Sequence, residues 1–223
     1  MEETACKSES PEISLRPMEL SDLDDFMEWA TDDRVSRFCT WDTYTCRDQA
    51  VDFIKNIAIP HPWLRVICLE NKVIGAISVT PMSGNDSCRG ELGYVLTHKY
   101  WGKGIATRAV KMVASAIFSE WPHMERLEAL VDVDNKGSQR VLEKSGFLRE
   151  GVLRKYQFLK GRSRDFAYGV PPWMRYGHLL DILEGFLFGG DGVPSQKMGH
   201  FVVACPFQEV VGIGELERPE RDS

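Results

Sequence analysis

The sequence predicts an α+β domain whose mixed, mostly antiparallel sheet is flanked by helices. Two β-branched, apolar runs, residues 64–70 and 73–80, are separated by only two residues, which is typical of an antiparallel hairpin. Beyond residue 90 the pattern becomes strand, helix, strand, helix, an order that requires a parallel crossover around the first of these helices. A hydrophobic share of 43% beside 27% charged residues is that of a soluble globular chain with a buried core.

Length and charge narrow the functional classes. A length of 223 residues fits one domain with an appendage rather than two full domains. The formal net charge of -6 provides no overall positive field, and no local basic patch stands out, so we expect no nucleic-acid partner. No apolar run reaches the roughly 18 to 20 residues that span a bilayer, and the acidic start Met1-Glu2-Glu3-Thr4 is unlike a secretory signal. We therefore expect no membrane partner, a cytoplasmic or alternatively nuclear location, and a monomer or weak homodimer.

The N-terminal third predicts a strand and two helices. Residues 1–12 are polar and are expected to be flexible, and Ile13 to Pro17 alternate as a short strand does. Ser21 and Asp24 have the spacing of a helix cap and its reciprocal acid, and Thr45 and Asp48 repeat that spacing. The expected buried positions are Leu23, Phe26, Met27 and Ala30 in the first helix and Ala50, Phe53, Ile54 and Ile57 in the second.

The remaining elements follow in the order that the crossover requires. The first hairpin has Asn71-Lys72 as its turn. Later elements are predicted as a strand at Glu91–Leu96, a helix at Ile105–Phe118, a strand at Arg126–Val133, a helix at Asn135–Ser145 closed by Gly146, a strand at Val152–Leu159, and the start of its partner at Arg164–Tyr168.

A composition change separates residues 170–223 from the domain at 13–169. This segment holds 8 of the 19 glycines and 5 of the 11 prolines, and its Pro171-Pro172 cannot donate sheet hydrogen bonds. The last strand is therefore expected to stop at Tyr168 and to leave an edge poorly covered. Within this atypical tail, residues 179–187 have the pattern of a short helix and 201–204 that of a short strand. Our hypothesis is a loosely held segment foreign to the domain, for example from an alternative transcript.

The six cysteines do not indicate a metal site. None forms a Cys-x-x-Cys pair, and none has a histidine at ligand spacing, so we expect free thiols and no metal. A Cys88–His98 pair is an alternative reading as a nucleophile with its base, but no third orienting group accompanies it.

Gly102-Lys103-Gly104 is the strongest candidate for a ligand site. It lies between a predicted strand and a predicted helix, where glycines permit a tight turn and the amides of Gly102 to Thr107 are free for the oxygens of a phosphate. On its own the pattern also fits a plain tight turn, and it is neither a Walker loop nor a full dinucleotide fingerprint.

Two segments in order extend this motif. They are Gly93-Tyr94-Val95-Leu96 running into Tyr100-Trp101-Gly102-Lys103-Gly104-Ile105-Ala106-Thr107, and then Asn135-Lys136-Gly137-Ser138-Gln139-Arg140-Val141-Leu142-Glu143-Lys144-Ser145-Gly146-Phe147. Together they resemble the GNAT (Gcn5-related N-acetyltransferase) family, and within it the branch of Rim-type ribosomal-protein N-terminal acetyltransferases. The resemblance covers about residues 13–168.

The resemblance implies a GNAT-like sheet with a kinked strand at an acetyl-CoA site and no metal. Acetyl-CoA would be a co-substrate, and the acetyl group would pass directly to a primary amine on a protein or a small molecule. The implied cofactor contacts are Tyr94, Val95 and Leu96 for pantetheine, Lys99, Gly102, Lys103, Gly104, Ile105, Ala106 and Thr107 for the diphosphate, and Asn135 for pantetheine. Lys99 departs from the Gln or Arg usual in the family, and Asn135 equally suits a plain helix cap.

Amide formation from a thioester needs a base for the amine and a proton for the thiolate. Glu91 lies where family members often carry a basic carboxylate, although a solvent-facing strand residue is an equal reading, and Asp132 and Asp134 are weaker candidates. Many members of the resembling family have a Tyr that protonates the thiolate where this chain has Leu142. Ser138 is therefore the candidate proton donor to the thiolate. The alternative is that Ser138 is a serine in the first turn of the helix with no catalytic role.

The acceptor itself is not specified by the sequence. In the resembling fold the helices between Ser21 and Ile59 form its pocket, and there Asp32, Asp33 and Asp42 mix with aromatic residues such as Trp41 and Tyr44, which suits a cationic amine. The missing Tyr and the atypical tail keep open a rival function, a catalytically impaired CoA-binding or interaction module of the same fold.

Overall fold

The computed structural model describes residues 12–171. The expectations for residues 1–11 and for the helix and strand proposed in the tail lie outside these residues. The strands are β1 (Ile13–Arg16), β2 (Leu64–Leu69), β3 (Lys72–Pro81), β4 (Arg89–Leu96), β5 (Arg126–Asp132), β6 (Leu148–Leu159) and β7 (Arg162–Val170). The helices are α1 (Leu23–Ala30), α2 (Asp33–Ser36), α3 (Arg47–Phe53), α4 (Ile105–Glu120) and α5 (Lys136–Lys144).

The seven strands form one sheet in the order β1-β2-β3-β4-β5-β7-β6. Neighbouring strands run antiparallel except for β4 and β5, which are parallel because α4 carries the chain back between them. The predicted α+β class, the antiparallel hairpin and the parallel crossover are confirmed.

Hydrophobic cores lie on both faces of the sheet. On one face α4 and α5 bury Val110, Val113 and Leu142 among the strand side chains. On the other face α1 and α3 bury Phe26 and Phe53, whose rings stack with centroids 5.3 Å apart. The first predicted set of helix positions is confirmed in outline, since Phe26 and Ala30 are buried while Leu23 and Met27 pack partly buried beside them.

Strand β4 passes between the two cores, and its side chains alternate between them. Leu92 and Leu96 belong to the α4 face, whereas Val95 belongs to the α1 face. Because alternate residues of a strand share a face, Glu91 lies on the Val95 side and Tyr94 on the α4 side. Of the predicted site residues on β4, Glu91 and Val95 therefore face one layer of the molecule, whereas Tyr94 and Leu96 face the other.

The helix starts differ from the predicted caps. A 3₁₀ turn at Leu20–Asp22 precedes α1, and the Asp22 carboxylate accepts the N–H of Glu19 at 2.8 Å, so Ser21 is not the cap. At α3 the residue before the helix is Cys46, and the amide oxygen of Gln49 accepts the N–H groups of Thr45 and Cys46. Both predictions were one or two residues off because neighbouring polar side chains compete for the same orphan N–H groups.

The hairpin turn is also displaced by one residue. Glu70 and Asn71 have φ values of 50° and 67°, while Lys72 already belongs to β3. Positive φ at both central residues is the geometry of the turns that match the twist of antiparallel strands. The prediction of Asn71-Lys72 as the turn was therefore wrong in register, although the hairpin is present.

The last strand extends beyond its predicted end at Tyr168. Gly169 pairs with Ala129 on one side and Arg149 on the other, and a Cβ added to Gly169 would lie 2.7 Å from the carbonyl oxygen of Leu148. β7 lies inside the sheet between β5 and β6, so the predicted exposed edge at this strand was wrong, and the edge strand is β6. Strand order depends on contacts distant in sequence, which local patterns do not encode.

Three further expectations concern possible sites. Within residues 12–171, Cys39, Cys46, Cys68 and Cys88 form no disulfide bond. The same residues contain no group of three or more His, Cys, Asp or Glu side chains placed to hold a metal ion. Over this range no helix combines the length and the apolar character that crossing a bilayer requires.

Candidate active site

β4 and β5 separate partway along their length and leave an opening in the sheet. They pair only from Arg89 to Glu91 against Arg126 to Glu128. Beyond that point lies a cavity of about 40 Å³ lined by Leu92, Gly93, Tyr94, Ala129, Leu130, Val131, Asp132, Asn135 and Ser138. No register shift interrupts the pairing of β3 with β4 over Gly75 to Pro81, so the opening arises where β4 and β5 diverge. An elongated chain placed between them would meet unpaired backbone groups.

The glycine turn lies at the end of β4 and opens α4. Gly102 and Gly104 have φ values of 74° and 75°, the left-handed region that favours glycine. No side-chain cap is bonded at the start of α4, and its first helical bond runs from the N–H of Arg108 to the carbonyl of Gly104. The N–H groups of Ile105, Ala106 and Thr107 therefore have no carbonyl within the helix, which suits an anionic ligand.

Two lysines flank this turn on either side of Tyr100. The ammonium groups of Lys99 and Lys103 lie 5.4 Å and 5.3 Å from the centre of the Tyr100 ring. Lys99 also donates to Glu28 on α1 at 2.5 Å, and Lys72 forms a second ion pair with the same carboxylate. Its two lysine partners hold the pKa of Glu28 below its ordinary value. This cluster joins α1 to the glycine turn.

The start of α5 closes the opening from the other side. The Asn135 side chain accepts the N–H of Ser138 at 3.1 Å, so the predicted cap is confirmed. The Tyr94 hydroxyl donates to the carbonyl of Ser138 at 3.0 Å, which fastens α5 to β4. Burial raises the pKa of Tyr94, so the phenol keeps its proton. Leu142 is buried in the core, so this position of α5 provides no proton donor.

Glu91 is buried at the point where β4 and β5 separate. Its side chain is 3% exposed, so the alternative of a solvent-facing strand residue is wrong. It is the register partner of Glu128 on β5, whose carboxylate is bonded to Arg89 at 3.2 Å and Arg126 at 2.7 Å. Tyr156 on β6 lies near both carboxylates, and burial together with their charge raises its pKa to about 12. A carboxylate held this far from water needs a specific reason to be there.

The two weaker carboxylate candidates are paired with arginines. Asp132 at the end of β5 is bonded to Arg164 at 2.9 Å, with side-chain exposures of 1% and 8%, and it also accepts the N–H of Asp134. Asp134 is exposed and lies 3.2 Å from Arg162. The buried ion pair holds β5 to β7 at the floor of the opening, which is a structural role for Asp132.

We expect Asp132→Ala to lower the free energy of unfolding by about 3–5 kcal/mol, because it leaves the Arg164 charge buried without its partner. Asp134→Ala is the matched control, since it breaks an exposed pair and should change stability by less than about 1 kcal/mol. Urea unfolding followed by circular dichroism measures both. Equal, small losses in the two variants would show that water reaches Arg164.

The alternative Cys88–His98 nucleophile is wrong. The two residues flank opposite ends of β4, and its 8 residues separate them by roughly 26 Å of extended chain. The His98 ring packs against Trp101 with centroids 4.8 Å apart.

A second cavity of about 710 Å³ lies between the α2–α3 region and β6. Its lining includes Thr40, Trp41, Asp42, Thr43, Tyr44, Gln49, Asp52, Phe53, Asn56, Ile57, Gln157, Phe158 and Leu159. Trp41 and Tyr44 are walls, as expected, but of the predicted acids only Asp42 contributes. Asp32 instead accepts the N–H of Arg34 at the start of α2, and Asp33 accepts the Thr43 hydroxyl.

Three residues of β6 near the two cavities were not predicted from the sequence as site residues. Gln157 lines the larger cavity and pairs across the strands with Arg164, which bonds to Asp132 in the smaller one. Tyr156 lies close enough to Glu91 for the charge of this carboxylate to raise its pKa, and the β6–β7 register shifts between Leu153 and Gln157. Lys155, with φ of 48°, lies in this irregularity. Neither strand alternation nor a sequence motif marks such a register shift. The only sequence signal in this region was the alternation of Arg162, Arg164 and Phe166 along β7.

Comparison with known proteins identifies the architecture. A family model described as Acetyltransferase (GNAT) domain matches residues 12–148. The uncharacterized N-acetyltransferase p20 of Bacillus licheniformis is 31% identical over 159 residues, covering 69% of this chain and 88% of that protein. The crystal structure of a GNAT-family acetyltransferase from Bacillus anthracis is 25% identical with a TM-score of 0.65, covering 72% of this chain and 95% of its own.

The Rim-type branch shares the fold. RimL, a ribosomal L7/L12 alpha-N-protein acetyltransferase solved with coenzyme A, is 18% identical with a TM-score of 0.63, covering 71% of this chain and 92% of its own. The family match spans the opening between β4 and β5, the glycine turn at Gly102–Gly104 and the start of α5. This chain is therefore an N-acetyltransferase of the GNAT family.

Proposed function

We propose that the protein transfers an acetyl group from acetyl-CoA directly to a primary amine on a protein or a small cationic molecule. The observation that carries this proposal is the juxtaposition of the β4–β5 opening, the uncapped start of α4 and a buried carboxylate, Glu91, where the strands separate. RimL, which shares the fold, was solved with coenzyme A. An acetyl thioester, a diphosphate and a base have separate places in this arrangement.

The pantetheine arm of acetyl-CoA would lie between the separated strands. Unpaired backbone groups of β4 and β5 would bond its amides in place of the missing ladder. The Leu96 carbonyl already accepts the indole N–H of Trp101 at 2.7 Å, and Val95 pairs with Ala76 on β3, so we place the main contact on β4 at Tyr94. The Asn135 side chain has an amide N–H group left after capping α5 and is a further contact.

The diphosphate would lie on the amides of Gly102 to Thr107. The positive end of α4 lies directly behind these groups. Within residues 12–171 Lys103 has no carboxylate partner, whereas Lys99 is bonded to Glu28 and must leave it to reach a phosphate. We therefore assign Lys103 as the main cationic contact to the diphosphate. Lys99 would contact the diphosphate only after it leaves Glu28.

Acetyl transfer requires three events at the opening. Glu91 takes a proton from the ammonium form of the acceptor, through water, and the free amine attacks the thioester carbonyl carbon. An oxyanion develops on the carbonyl oxygen, and the carbon–sulfur bond then breaks as the amide forms. The Ser138 hydroxyl, which lines the opening, would donate a proton to the leaving thiolate.

The larger cavity is the proposed acceptor site. Its charged lining residues are Asp52 and Asp42, and the Asp42 carboxylate is bonded to Lys160 at 2.6 Å. The Oε1 atom of Gln157 is buried there without a hydrogen-bond partner within the described residues. The Asp52 carboxylate, the unmet Gln157 acceptor and the aromatic walls favour a cationic, donor-rich amine.

The direct test follows release of free thiol from acetyl-CoA. The full chain would be incubated with acetyl-CoA and, in parallel, with N-terminal peptides, lysine peptides and polyamines, and products would be identified by mass spectrometry. We expect thiol release that depends on at least one amine class and a product heavier by one acetyl group. Acetyl-CoA binding with no transfer to any amine would instead support the impaired module that the buried Leu142 suggests.

A further inference from the structure

A cluster of charged side chains joins α1 to the segment between β4 and the glycine turn. The Glu28 carboxylate on α1 accepts a hydrogen bond from the Lys99 ammonium group at 2.5 Å. It also accepts one from Lys72, the first residue of β3, and the Lys72 ammonium group lies 3.6 Å from Asp25 on α1. The Lys99 side chain is therefore directed toward α1.

Lys99 nevertheless lies beside the proposed diphosphate site. It belongs to a 3₁₀ turn at His98–Tyr100, and Gly102 follows this turn after one residue. The ammonium groups of Lys99 and Lys103 lie 5.4 Å and 5.3 Å from the centre of the same Tyr100 ring. Because lysine carries its charge on a flexible four-carbon stem, Lys99 can turn from α1 to a ligand at the glycine turn without a change in the backbone.

The ion pair between Lys99 and Glu28 is weak enough to be exchanged for a ligand. The exposed fractions of the two side chains are 51% for Lys99 and 35% for Glu28, so water screens their attraction. An exposed pair of this kind typically changes an equilibrium constant by at most about fivefold. When Lys99 leaves, Lys72 remains on Glu28, so the carboxylate keeps a cationic partner.

We propose that Glu28 competes with the diphosphate of acetyl-CoA for Lys99 and thereby lowers the affinity of the protein for acetyl-CoA. Glu28 is a positioning residue, because it acts on the ligand through Lys99. Binding moves the Lys99 ammonium group from α1 to the diphosphate, and neither a proton nor a covalent bond changes place. The inference rests on the proposed site of the diphosphate at the glycine turn.

The test is calorimetric titration of the full chain with acetyl-CoA. Glu28→Gln removes the competing charge and should lower the Kd by about two- to fivefold. In a chain that already carries Lys99→Met, the same substitution should change the Kd by less than about 1.5-fold, because no Lys99 is left to release. The comparison of these two effects isolates the coupling between Glu28 and Lys99.

Asp24→Asn is the matched control for charge. Asp24 also lies on α1, and its carboxylate is bonded to Arg47, outside the cluster around Lys99. This variant changes the charge of α1 by the same amount as Glu28→Gln. We expect its Kd for acetyl-CoA to equal that of the wild type.

A Kd that is unchanged or raised in Glu28→Gln overturns the proposal. An equal gain with and without Lys99 also overturns it, since that gain would reflect charge alone. A merely structural ion pair would lower the thermal unfolding temperature in Glu28→Gln without tightening acetyl-CoA binding. If Gly104→Val does not weaken binding, the diphosphate site fails and this inference fails with it. If Gly104→Val weakens binding but Glu28→Gln does not tighten it, this inference alone is wrong.

Discussion

Glu91→Gln is expected to lower kcat/KM at neutral pH by about 10²–10⁴-fold, with partial recovery as the pH rises. The amide cannot take a proton from the acceptor, and positioned proton transfer contributes about this factor. A basic medium supplies more of the free amine, which offsets part of the loss. Thiol release measured between pH 6 and pH 10 gives the profile.

The size of this effect depends on the burial of Glu91. Glu91 is buried, with 3% of its surface exposed, and Gln has nearly the same size and shape as Glu. The substitution should therefore keep the packing at this position and the fold. Glu150→Gln is the matched control, because it changes a carboxylate on β6 that is bonded to Arg126 and does not line the opening. A Glu91→Gln variant that matches the wild-type rate and profile would remove this residue from the mechanism.

Gly104→Val is expected to weaken acetyl-CoA binding by at least about tenfold. Space is not the reason, since a Cβ at Gly104 would meet nothing within 4 Å. The φ of 75° is strained for any side chain and most of all for a β-branched one, so the turn must shift and carry the amides of the first turn of α4 with it. Calorimetric titration with acetyl-CoA measures the loss.

Gly84→Val is the matched control for backbone strain. Gly84 has φ of 62° and likewise no neighbour within 4 Å of its added Cβ, but it lies in the turn between β3 and β4, away from α4. We expect similar losses of stability in the two variants and a loss of CoA affinity in Gly104→Val alone. Equal affinities would contradict the assignment of the diphosphate to this turn.

Local signals predicted most of the fold and the glycine turn at the start of α4. Glycines at 102 and 104 mark a backbone that few other residues adopt, and the helical spacing of Val110 and Val113 marks a buried face. These properties belong to a few neighbouring residues, so the sequence displays them directly. The parallel crossover follows from element order alone.

What depends on contacts distant in sequence was not predictable. The burial of Glu91, the insertion of β7 between β5 and β6, and the ion pair of Asp132 with Arg164 all arise from strand order. The larger cavity combines loop residues near Trp41 with β6, more than a hundred positions later.

Acetyl-CoA is expected to occupy the β4–β5 opening with its diphosphate on the start of α4. Hydrogen–deuterium exchange of the full chain, measured with and without acetyl-CoA, tests this placement. We expect new protection from exchange at residues 92–96 and 102–107 on binding and no change at the turn Gly84–Asp86. Saturating acetyl-CoA that protects neither 92–96 nor 102–107, while protecting residues elsewhere, would contradict it.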